Sequence, residues 1–529
     1  MCKPTIQEIE PTKRVVIVGA GPAGLLASIL LLRRNNQSNT KYQVTLIDPG
    51  TNYGKLQPKD LQRKRSWMIG LSTHGLSAIK SVDGLYENYV RGLGIDITKS
   101  VLSLSPGLTF ERDAKELIGE GSAFTVDRNF VCAALARYLD EKYEKNPKSV
   151  AVSDPNDELN DAVMNEFVAH YYTKALYVDY DKKRVLVRGT SQEEQDDRFI
   201  DYDIIIGCDG IRSVVRNAIA STNRHFEFSI SDTFGLGKAF HVDCPPGVDP
   251  GTFFLLINAV PNMISFTLPE TGNKFNVNLG FRRDRKENIA PILFTDDVDG
   301  ISAYFKKHFH AFKMDCDDAA KQWIDQGWNT ISQVHCNIYH DSKRMILLMG
   351  DAAHATSPQI GQGMNTALAD AAALDEMLDR HEDDWSATLE TFSKERVKEG
   401  NALTDLSFYT MSFSSTEQIR FMLGQMIRSR LNYMMPSLIS KHPMDEIPEG
   451  GKLSVAYDKM CKLGIIQRIR ATNDAVKREY VEKSCGLITE SEKGLVSSSF
   501  VKFAFLGSIA AAGMQVMPLM IEIIQKYVC

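Results

Sequence analysis

Two glycine-rich turns, more than three hundred residues apart, constrain this chain more than any other feature. The first, GAGPAG, begins at Gly19, follows the β-branched run RVVIV and precedes a long helical pattern. In such a strand–turn–helix unit, Gly19 allows the tight turn, Gly21 lets the backbone approach a pyrophosphate, and Gly24 lets the helix pack on the strand. The free N–H groups and positive dipole at the start of the helix favour bound phosphate.

A second predicted strand, over residues 43–47, supports this interpretation because it ends in Asp48. An acidic residue at this distance from the turn is expected to bind ribose hydroxyls. Glycine turns also serve simple packing, so the turn alone is weak evidence. With strand, helix and acid in register, the segment predicts a dinucleotide-binding unit.

Another strand–turn–helix unit lies near residue 205. The apolar strand 203–206 leads into a turn at Asp209 and Gly210, and Ser213 is placed to cap the helix that follows. An Asp-Gly pair by itself is a routine turn. The full pattern of strand, acid, cap and a later arginine is more specific, and it predicts a second contribution to the same nucleotide site.

The third unit contains the second glycine-rich turn. The apolar run 345–349 leads to Gly350 and Asp351, and the loop Gly361–Asn365 then opens an alanine- and leucine-rich helix. Asp351 is placed to accept a hydrogen bond from a ribitol hydroxyl, and the start of the helix would stabilise negative charge on a reduced flavin. Together the three units predict FAD. We interpret His354 as a structural hydrogen-bonding residue rather than a catalytic one.

Composition limits what surrounds these units. The chain has 529 residues, of which 43% are hydrophobic and 24% charged, enough for two or three globular domains. A net charge of −6 gives no electrostatic indication of nucleic-acid binding. Nine cysteines without CxxC pairs indicate neither a zinc site nor a disulfide framework, and they favour a reducing compartment.

The nucleotide-binding strands come from separate parts of the chain, which predicts a discontinuous domain. We place the FAD-binding domain at residues 11–220 plus 341–384. Alternating apolar and polar positions predict an antiparallel-sheet substrate domain at 221–340. A helical pattern at 385–490 predicts a helical C-terminal region that could close over a substrate cavity.

Three segments carry a family resemblance: Gly350–Asn365 above all, and also Arg65–Ala78 and Thr125–Arg128. Through them the chain resembles the single-component FAD-dependent aromatic hydroxylases, or group A flavoprotein monooxygenases, and within these the kynurenine 3-monooxygenase branch. The resemblance covers nearly the whole chain. It implies an α/β fold whose Rossmann-like, GR2-type FAD-binding domain, similar to that of para-hydroxybenzoate hydroxylase, carries the inserted sheet domain and the helical region.

The resemblance also implies a reaction. It is that of an NAD(P)H- and O2-dependent monooxygenase that hydroxylates an aromatic or lipophilic small molecule through a C4a-hydroperoxyflavin, with FAD as cofactor and NADPH as the expected co-substrate. No catalytic acid or base and no metal ligand is assigned. The motifs and the resemblance identify these cofactor-binding residues: Gly19, Gly21, Ala23, Gly24, Asp48, Arg65, Gly70, Arg128, Asp209, Gly210, Asp351, Pro358, Gly361, Gly363, Met364 and Asn365.

The resemblance breaks where the kynurenine branch binds its amino-acid substrate. There an arginine grips the substrate carboxylate, whereas Gly94–Thr98 of this chain offers uncharged residues and an acid. Two further substrate-contacting positions of the branch fall on Thr410 and near Pro443. Losing a charge-assisted clamp in a desolvated site costs about 2–5 kcal/mol. We therefore expect a less polar aromatic, an isoprenoid or another lipophilic substrate rather than kynurenine.

The C-terminal segment 499–529 is strongly apolar. Its core, Phe503–Ile521, is about long enough to cross a bilayer, although Gln515 and Pro518 weaken the pattern. We expect an apolar helix that anchors the chain to a membrane, with an interfacial or substrate-channel helix as the alternative. The expected location is intracellular, facing the cytoplasm from the mitochondrial outer membrane or endoplasmic reticulum, or else the cytoplasm itself.

Two other functions fit the same motifs. FAD-dependent epoxidases and reductases of isoprenoid or lipid substrates share the three FAD motifs and also favour membranes. A non-catalytic scaffold would keep FAD for stability and use its C-terminal helices to bind a partner. The intact Gly361–Asn365 loop favours catalysis over this third function.

Overall fold

The computed structural model describes residues 12–62, 64, 66–105, 108–113, 124–143, 166–190 and 196–484. Arg65 and the predicted apolar helix at 499–529 lie outside these residues. In the part of the chain that the structure describes, no helix combines the length and apolarity needed to cross a membrane. Of the described residues, those up to Arg470 belong to one compact unit, and those from Ala471 to Ser484 belong to a second.

The described strands include those predicted near residues 43–47, 203–206 and 345–349, and several others that were not predicted. Their bounds are β1 (Thr12–Val18), β2 (Lys41–Ile47), β3 (Met68–Leu71), β4 (Gly94–Asp96), β5 (Lys99–Ser105), β6 (Leu108–Asp113), β7 (Phe124–Asp127), β8 (Phe167–His170), β9 (Thr173–Asp179), β10 (Arg184–Gly189), β11 (Asp197–Asp201), β12 (Ile204–Gly207), β13 (Phe228–Asp243), β14 (Thr252–Val260), β15 (Met263–Glu270), β16 (Lys274–Arg282), β17 (Asn329–Cys336), β18 (His340–Asp341) and β19 (Ile346–Leu348).

The helices alternate with strands early in the chain and dominate after residue 350. Their bounds are α1 (Pro22–Arg34), α2 (Pro58–Gln62), α3 (Thr73–Lys80), α4 (Arg128–Tyr143), α5 (Val214–Thr222), α6 (Val298–His308), α7 (Cys316–Asp325), α8 (Asp351–His354), α9 (Gly363–Arg380), α10 (Trp385–Tyr409), α11 (Ser415–Met434), α12 (Pro443–Glu446), α13 (Leu453–Lys462) and α14 (Ile465–Ser484).

One sheet carries all three predicted nucleotide-binding units. Its strand order is β18-β19-β12-β1-β2-β8, and β19, β12, β1, β2 and β8 run parallel. Residues 15–18 of β1 and all of β12 and β19 are buried, as the uninterrupted apolar runs predict for a parallel sheet covered on both faces. The predicted α/β fold class is confirmed.

A second sheet of seven strands has the order β17-β13-β16-β15-β14-β5-β6. The strands β13 to β17 pair antiparallel, as the alternating pattern predicts. The sheet also continues into β5 and β6, which precede the predicted 221–340 segment, and β14 pairs parallel with β5. Two helices, α6 and α7, also lie within 221–340, and the alternation of apolar residues did not indicate them.

The two faces of this second sheet differ. On one face, alternate residues such as Phe240, Val277 and Leu279 form a buried aromatic and aliphatic core with Phe305 of α6 and Trp323 of α7. The residues between them project from the opposite face, because successive side chains of a strand alternate.

The segment from 385 to 484 is helical, as predicted, and comprises α10 to α14. Within the first unit, Leu403 and Leu406 of α10 pack with Phe421 of α11 and Ala456 and Met460 of α13 in a separate core. The helical C-terminal region therefore has a hydrophobic core of its own.

Candidate functional site

The first glycine turn lies between β1 and α1, where backbone segments approach closely. Gly19 has a φ of +109°, and a Cβ there would overlap the carbonyl oxygen of Cys208. A Cβ at Gly24 would overlap the carbonyl oxygen of Gly19. The turn therefore needs glycine at both positions, because a larger residue would separate the turn from the end of β12.

Asp48 lies at the carboxyl end of β2, beside this turn. Its carboxylate accepts hydrogen bonds from the backbone N–H groups of Ala20 and Gly50, both at 2.7 Å. These bonds orient the side chain next to the turn. A carboxylate has about four lone-pair sites, so two acceptor sites remain for hydroxyl groups of a ribose.

Arg128 reaches the turn from the start of α4. Its Nη2 atom lies 3.9 Å from the position that a Cβ at Gly21 would take. Its guanidinium also interacts electrostatically with Asp351 at the start of α8. A cation and the N-terminus of α1 thus meet at one point, as anionic phosphates require.

The second turn packs against the third through Arg216. Ser213 caps α5 as predicted, since its hydroxyl accepts the N–H of Arg216 at 2.9 Å. The buried guanidinium of Arg216 donates to the carbonyl of Ala352 at 2.8 Å and to that of Ile211 at 2.5 Å. Asp209 accepts the N–H of Val214, and burial raises the pKa of its carboxyl group.

The third turn is held by a buried carboxylate that sequence reasoning did not identify. Asp370 of α9 accepts the backbone N–H of Gly350 at 2.9 Å, Nε2 of His354 at 2.6 Å and Nε of Arg396 at 2.7 Å. Burial alone would raise the pKa of Asp370, but the charges of His354 and Arg396 lower it to about 2. The only signal in the sequence is an acid within the apolar stretch of α9.

This network leaves His354 with the role that we expected for it. The His354 side chain is buried beneath the turn and bonded to Asp370, while Asp351 beside it is exposed. Gly350 has a φ of +58°, and its Cβ position lies 3.2 Å from the Cβ of Ala23 in α1. The first and third turns are therefore neighbours.

The loop before α9 is joined to β3 by Asn365. Its Oδ1 accepts the N–H of Ser72 at 2.9 Å, and its Nδ2 donates to the carbonyls of Gly70 at 2.9 Å and Gly361 at 3.0 Å. Gln362 adds a bond to the hydroxyl of Ser72. Pro358 begins the one-turn 3₁₀ segment Pro358–Ile360 in the same loop. The structure thus brings the two predicted flavin segments together.

Two observations test whether these segments suit FAD. Cβ atoms at Gly70 and Gly361, which Asn365 joins, and at Gly210 would meet nothing within 4 Å, so the backbone at each borders open space. In the adjoining loop, the buried atoms Thr356 Oγ1, Ser357 Oγ and Gln359 Oε1 have no hydrogen-bond partner. Open glycine backbone and unsatisfied polar atoms at one place fit a planar cofactor with polar edges.

The uncovered side of the second sheet forms a surface that we call the open face. We define it by Leu255, Ile264, Phe266, Leu268 and Asn278, which register places on one side of β14, β15 and β16. All five are half-buried. Within the described residues, none of the four apolar side chains belongs to a hydrophobic core. Asn278 donates to Phe266 and Asn276, but its buried Oδ1 has no partner.

Hydrogen bonds at both ends locate the open face. At one end, Thr125 of β7 donates to the carbonyl of Pro269, and β7 pairs with β3 at Gly70. At the other end, Arg282 donates to the carbonyl of Phe413, just beyond α10, at 2.6 Å. The open face therefore lies between the flavin segments and the end of α10, where a substrate would need an apolar wall.

The segment Gly94–Thr98, where the family resemblance predicts a carboxylate-binding arginine, contains no arginine. Gly94–Asp96 forms β4, and Thr98 donates to Asp249 at 2.6 Å. Arg91, which precedes this segment, is ion-paired with Asp96 at 2.6 Å. Thr410 is buried at the end of α10, with its hydroxyl donating to the carbonyl of Leu406.

Comparison with known proteins matches this geometry. The family model described as "FAD binding domain" matches residues 142–407, half of the chain. The chain therefore belongs to the FAD-binding-domain family, and FAD is its cofactor. It is 27% identical to violacein synthase of Chromobacterium violaceum, over 85% of this chain and 96% of that protein. It is 24% identical to kynurenine 3-monooxygenase of Sus scrofa, over 80% of this chain and 81% of that protein.

Solved structures show the same fold. The Pseudomonas aeruginosa protein PqsL, in complex with 2-aminobenzoylacetate, superposes with a TM-score of 0.54 at 16% identity, covering 75% of this chain and 95% of that one. 2-Methyl-3-hydroxypyridine-5-carboxylic acid oxygenase superposes with a TM-score of 0.53 at 16% identity, covering 75% and 90%. The predicted family resemblance is confirmed.

Proposed function

We propose that this protein is an NAD(P)H- and O2-dependent FAD monooxygenase that hydroxylates an uncharged aromatic or lipophilic small molecule. In this reaction one oxygen atom of O2 enters the product and the other leaves as water. The names of its relatives, which include kynurenine 3-monooxygenase and violacein synthase, support the reaction class. The observation that carries the substrate class is the open face, an uncharged apolar wall beside the flavin segments.

Bound FAD would supply the redox chemistry, accepting hydride from the nicotinamide and activating O2. The chain would hold it with the segments described above. The first glycine turn and Arg128 suit the pyrophosphate, Asp48 the ribose and Asp351 the ribitol chain. Arg65 was predicted to contact the same cofactor, and its position stays a prediction.

The start of α9 would act on the flavin ring itself. Its first N–H groups, at Gly363 and Met364, have no partner within the helix and carry its positive dipole. They would stabilise negative charge on the pyrimidine edge of the reduced ring. Asn365 would keep this loop at a fixed distance from Gly70, so that the groups need not reorganise during the reaction.

The open face would exclude water and select the substrate. Because Leu255, Ile264, Phe266 and Leu268 carry no charge, a carboxylate placed against them would be desolvated without a partner. Asn278 Oδ1 is a single acceptor in this wall, so a hydroxyl or amine on the substrate would be oriented by it. This arrangement favours a phenol, an aniline or a lipophilic ring compound over a free amino acid.

The first experiment is anaerobic stopped-flow absorbance of FAD-loaded full-length protein mixed with NADPH. It is run alone and with kynurenine, simple phenols or isoprenoid quinones. We expect flavin bleaching to accelerate with one of the uncharged compounds. Acceleration by kynurenine alone would contradict the proposed substrate class. If the flavin is reduced neither by NADPH alone nor by NADPH with any of the compounds, the scaffold function would be favoured.

Product analysis separates the remaining alternatives. With ¹⁸O2, hydroxylation or epoxidation places one labelled atom in the product, whereas a reductase acting on isoprenoid lipids leaves the product unlabelled. Phe266→Asn should raise KM for the accepted substrate while NADPH oxidation without substrate stays unchanged. Phe199→Asn, at an exposed phenylalanine of β11, is the matched control.

A further inference from the structure

The helix α11 exposes a row of large apolar side chains. Leu423, Ile427, Leu431 and Met434 follow one another at intervals of four, four and three residues, which places them on one side of the helix. Their exposed fractions range from 37% for Leu431 to 58% for Ile427. We call these four residues the apolar stripe. Met435 and Leu438 extend the exposed apolar surface just beyond the helix.

The other side of α11 is packed normally. Phe421 is buried in the core of the C-terminal helices. Gln425 donates to Asp445 at 2.8 Å, and Ser429 donates to the other oxygen of the same carboxylate at 2.5 Å. The helix is thus fixed to the protein along one side, and the apolar stripe is not a consequence of loose packing.

Basic residues accompany the stripe. Arg420 and Arg430 lie on the same side of the helix and are exposed. From Ser415 to Lys441 the chain has four basic residues, Arg420, Arg428, Arg430 and Lys441, and one acid, Glu417. This segment is positive in a chain whose net charge is −6. An exposed apolar stripe flanked by arginines is the pattern of a helix that lies in a lipid interface.

We propose that α11 docks on an anionic lipid surface, with the apolar stripe inserted at the level of the headgroups. Leu423, Ile427, Leu431 and Met434 supply the inserted area, and Arg420 and Arg430 pair with lipid phosphates. A second copy of the chain is a poorer occupant. In a two-fold symmetric contact the arginines of both copies would face one another at the same apolar patch.

This surface lies close in sequence to the candidate substrate site. Phe413, whose carbonyl accepts Arg282 at the end of the open face, precedes α11 by two residues. Docking through α11 would bring that end of the site to the membrane, from which a lipophilic compound can enter. The docking itself does not depend on the proposed reaction, and it is measured without turnover.

The first test is co-sedimentation of the full-length protein with vesicles. We expect binding to vesicles that contain phosphatidylserine, and weaker binding as salt rises. Arg420→Gln with Arg430→Gln should lower the partition coefficient about fivefold per arginine. Ile427→Ser with Leu431→Ser should lower it on the order of tenfold. The control pair Tyr177→Ser with Ile230→Ser removes residues of similar exposure, 53% and 50%, elsewhere on the surface and should change nothing.

A second test reports the position of α11 directly. Ile427→Trp fluorescence should be quenched by vesicles of brominated lipid beyond the quenching of the parent protein, and Tyr177→Trp should not be. Binding that is unchanged in both α11 double variants, or no extra quenching of Ile427→Trp, would overturn the proposal. Light scattering that shows an α11-dependent dimer in place of vesicle binding would also overturn it in favour of a second copy.

Discussion

Two asparagines show how differently the flavin segments and the open face are built. Asn365 makes three hydrogen bonds to backbone groups of Gly70, Ser72 and Gly361, and its side chain is fully buried. Asn278 bonds to the neighbouring strand, but its Oδ1 has no partner, and the apolar residues around it are half-buried. The hydrogen bonds of Asn365 are thus all made within the protein. The open face, in contrast, has an unpaired acceptor and apolar side chains that are only half-buried.

The two regions therefore differ in how strongly they restrict the amino-acid sequence. Contacts around the cofactor are made to the backbone, and a close backbone approach permits only particular residues, such as glycine at position 19. Such positions can therefore be recognised in the sequence as a motif. The open face needs only apolar side chains at alternate positions of three strands, a requirement that very many sequences satisfy. Its chemistry therefore becomes visible only when the strands are placed.

The largest expected effect comes from the buried carboxylate behind the flavin turn. Asp370→Asn removes the negative charge that Arg396 and His354 face. The amide nitrogen of the asparagine also cannot accept a hydrogen bond from either side chain. We expect the free energy of unfolding to fall by about 3–5 kcal/mol, measured by urea denaturation. FAD affinity should fall as well, because Gly350 loses its anchor.

Glu376→Gln is the control for that variant, since Glu376 lies on the same helix but is exposed. Its effect should stay within about 0.5 kcal/mol. Equal losses in the two variants would mean that the network around Asp370 does not hold the turn, and the contrast between the two regions would lose its strongest support.

A glycine pair gives the next largest effect and separates folding from cofactor binding. Gly19→Ala places a Cβ against Cys208 at a positive φ, so we expect a loss of about 2–4 kcal/mol in unfolding free energy and no FAD binding. Gly70→Ala meets nothing within 4 Å. The FAD-free protein should keep its stability, whereas FAD affinity, measured by fluorescence titration, should fall on the order of tenfold.

Full FAD affinity in Gly70→Ala would show that the space in front of β3 is not where the flavin lies. Loss of stability in the FAD-free protein would instead show that this backbone is already packed. Either result would move the cofactor site away from the Asn365 loop.

Much of this architecture could be predicted from the sequence. The strands β1, β2, β12 and β19 are apolar runs next to glycine or acidic turns, and local sequence determines both. The helices α6 and α7 were not predicted, because their short amphipathic patterns follow a long alternating segment. The addition of β5 and β6 to the second sheet was not predictable either, since it depends on pairing between residues about 150 positions apart.

The candidate site divides in the same way. The glycines and Asp48 were identified from spacing, and the structure brings Gly70, Gly361 and Asn365 together as the motifs suggest. Asp370 and Arg396 were missed because each is one of several charged residues in its helix, and the sequence does not show which of these are buried. Only their burial and mutual distance reveal a network.

The two asparagines themselves provide a matched comparison. Asn365→Ala leaves the buried N–H of Ser72 without an acceptor, and we expect a loss of about 1–3 kcal/mol in unfolding free energy. Asn278→Ala removes a side chain whose acceptor is already unpaired, so stability should change by less than about 1 kcal/mol. Chemical denaturation gives both values. KM for the accepted substrate should rise in Asn278→Ala, and an unchanged KM would remove Asn278 from the substrate wall.

The smallest effect concerns the place where the two regions meet. His241 donates from Nδ1 to Glu270 at 2.7 Å at the end of the open face, and it also interacts with Asp127, next to Arg128. Burial alone would lower the pKa of His241, but Glu270 and Asp127, opposed by Lys274, raise it above 6.5. The protonated histidine is therefore stabilised by folding.

A raised folded-state pKa sets the direction of the pH dependence. The stabilisation is fully present below about pH 6.5 and is lost as pH rises through the folded-state pKa of His241. We expect the parent to exceed His241→Gln in unfolding free energy by less than about 1 kcal/mol at low pH, and the difference to shrink as pH rises above about 6.5. A difference that grows with pH would show that His241 is held neutral. In that case, a hydrogen bond from a neutral His241 to Glu270 would join the open face to the flavin segments. The uncharged character of the open face would then extend as far as His241.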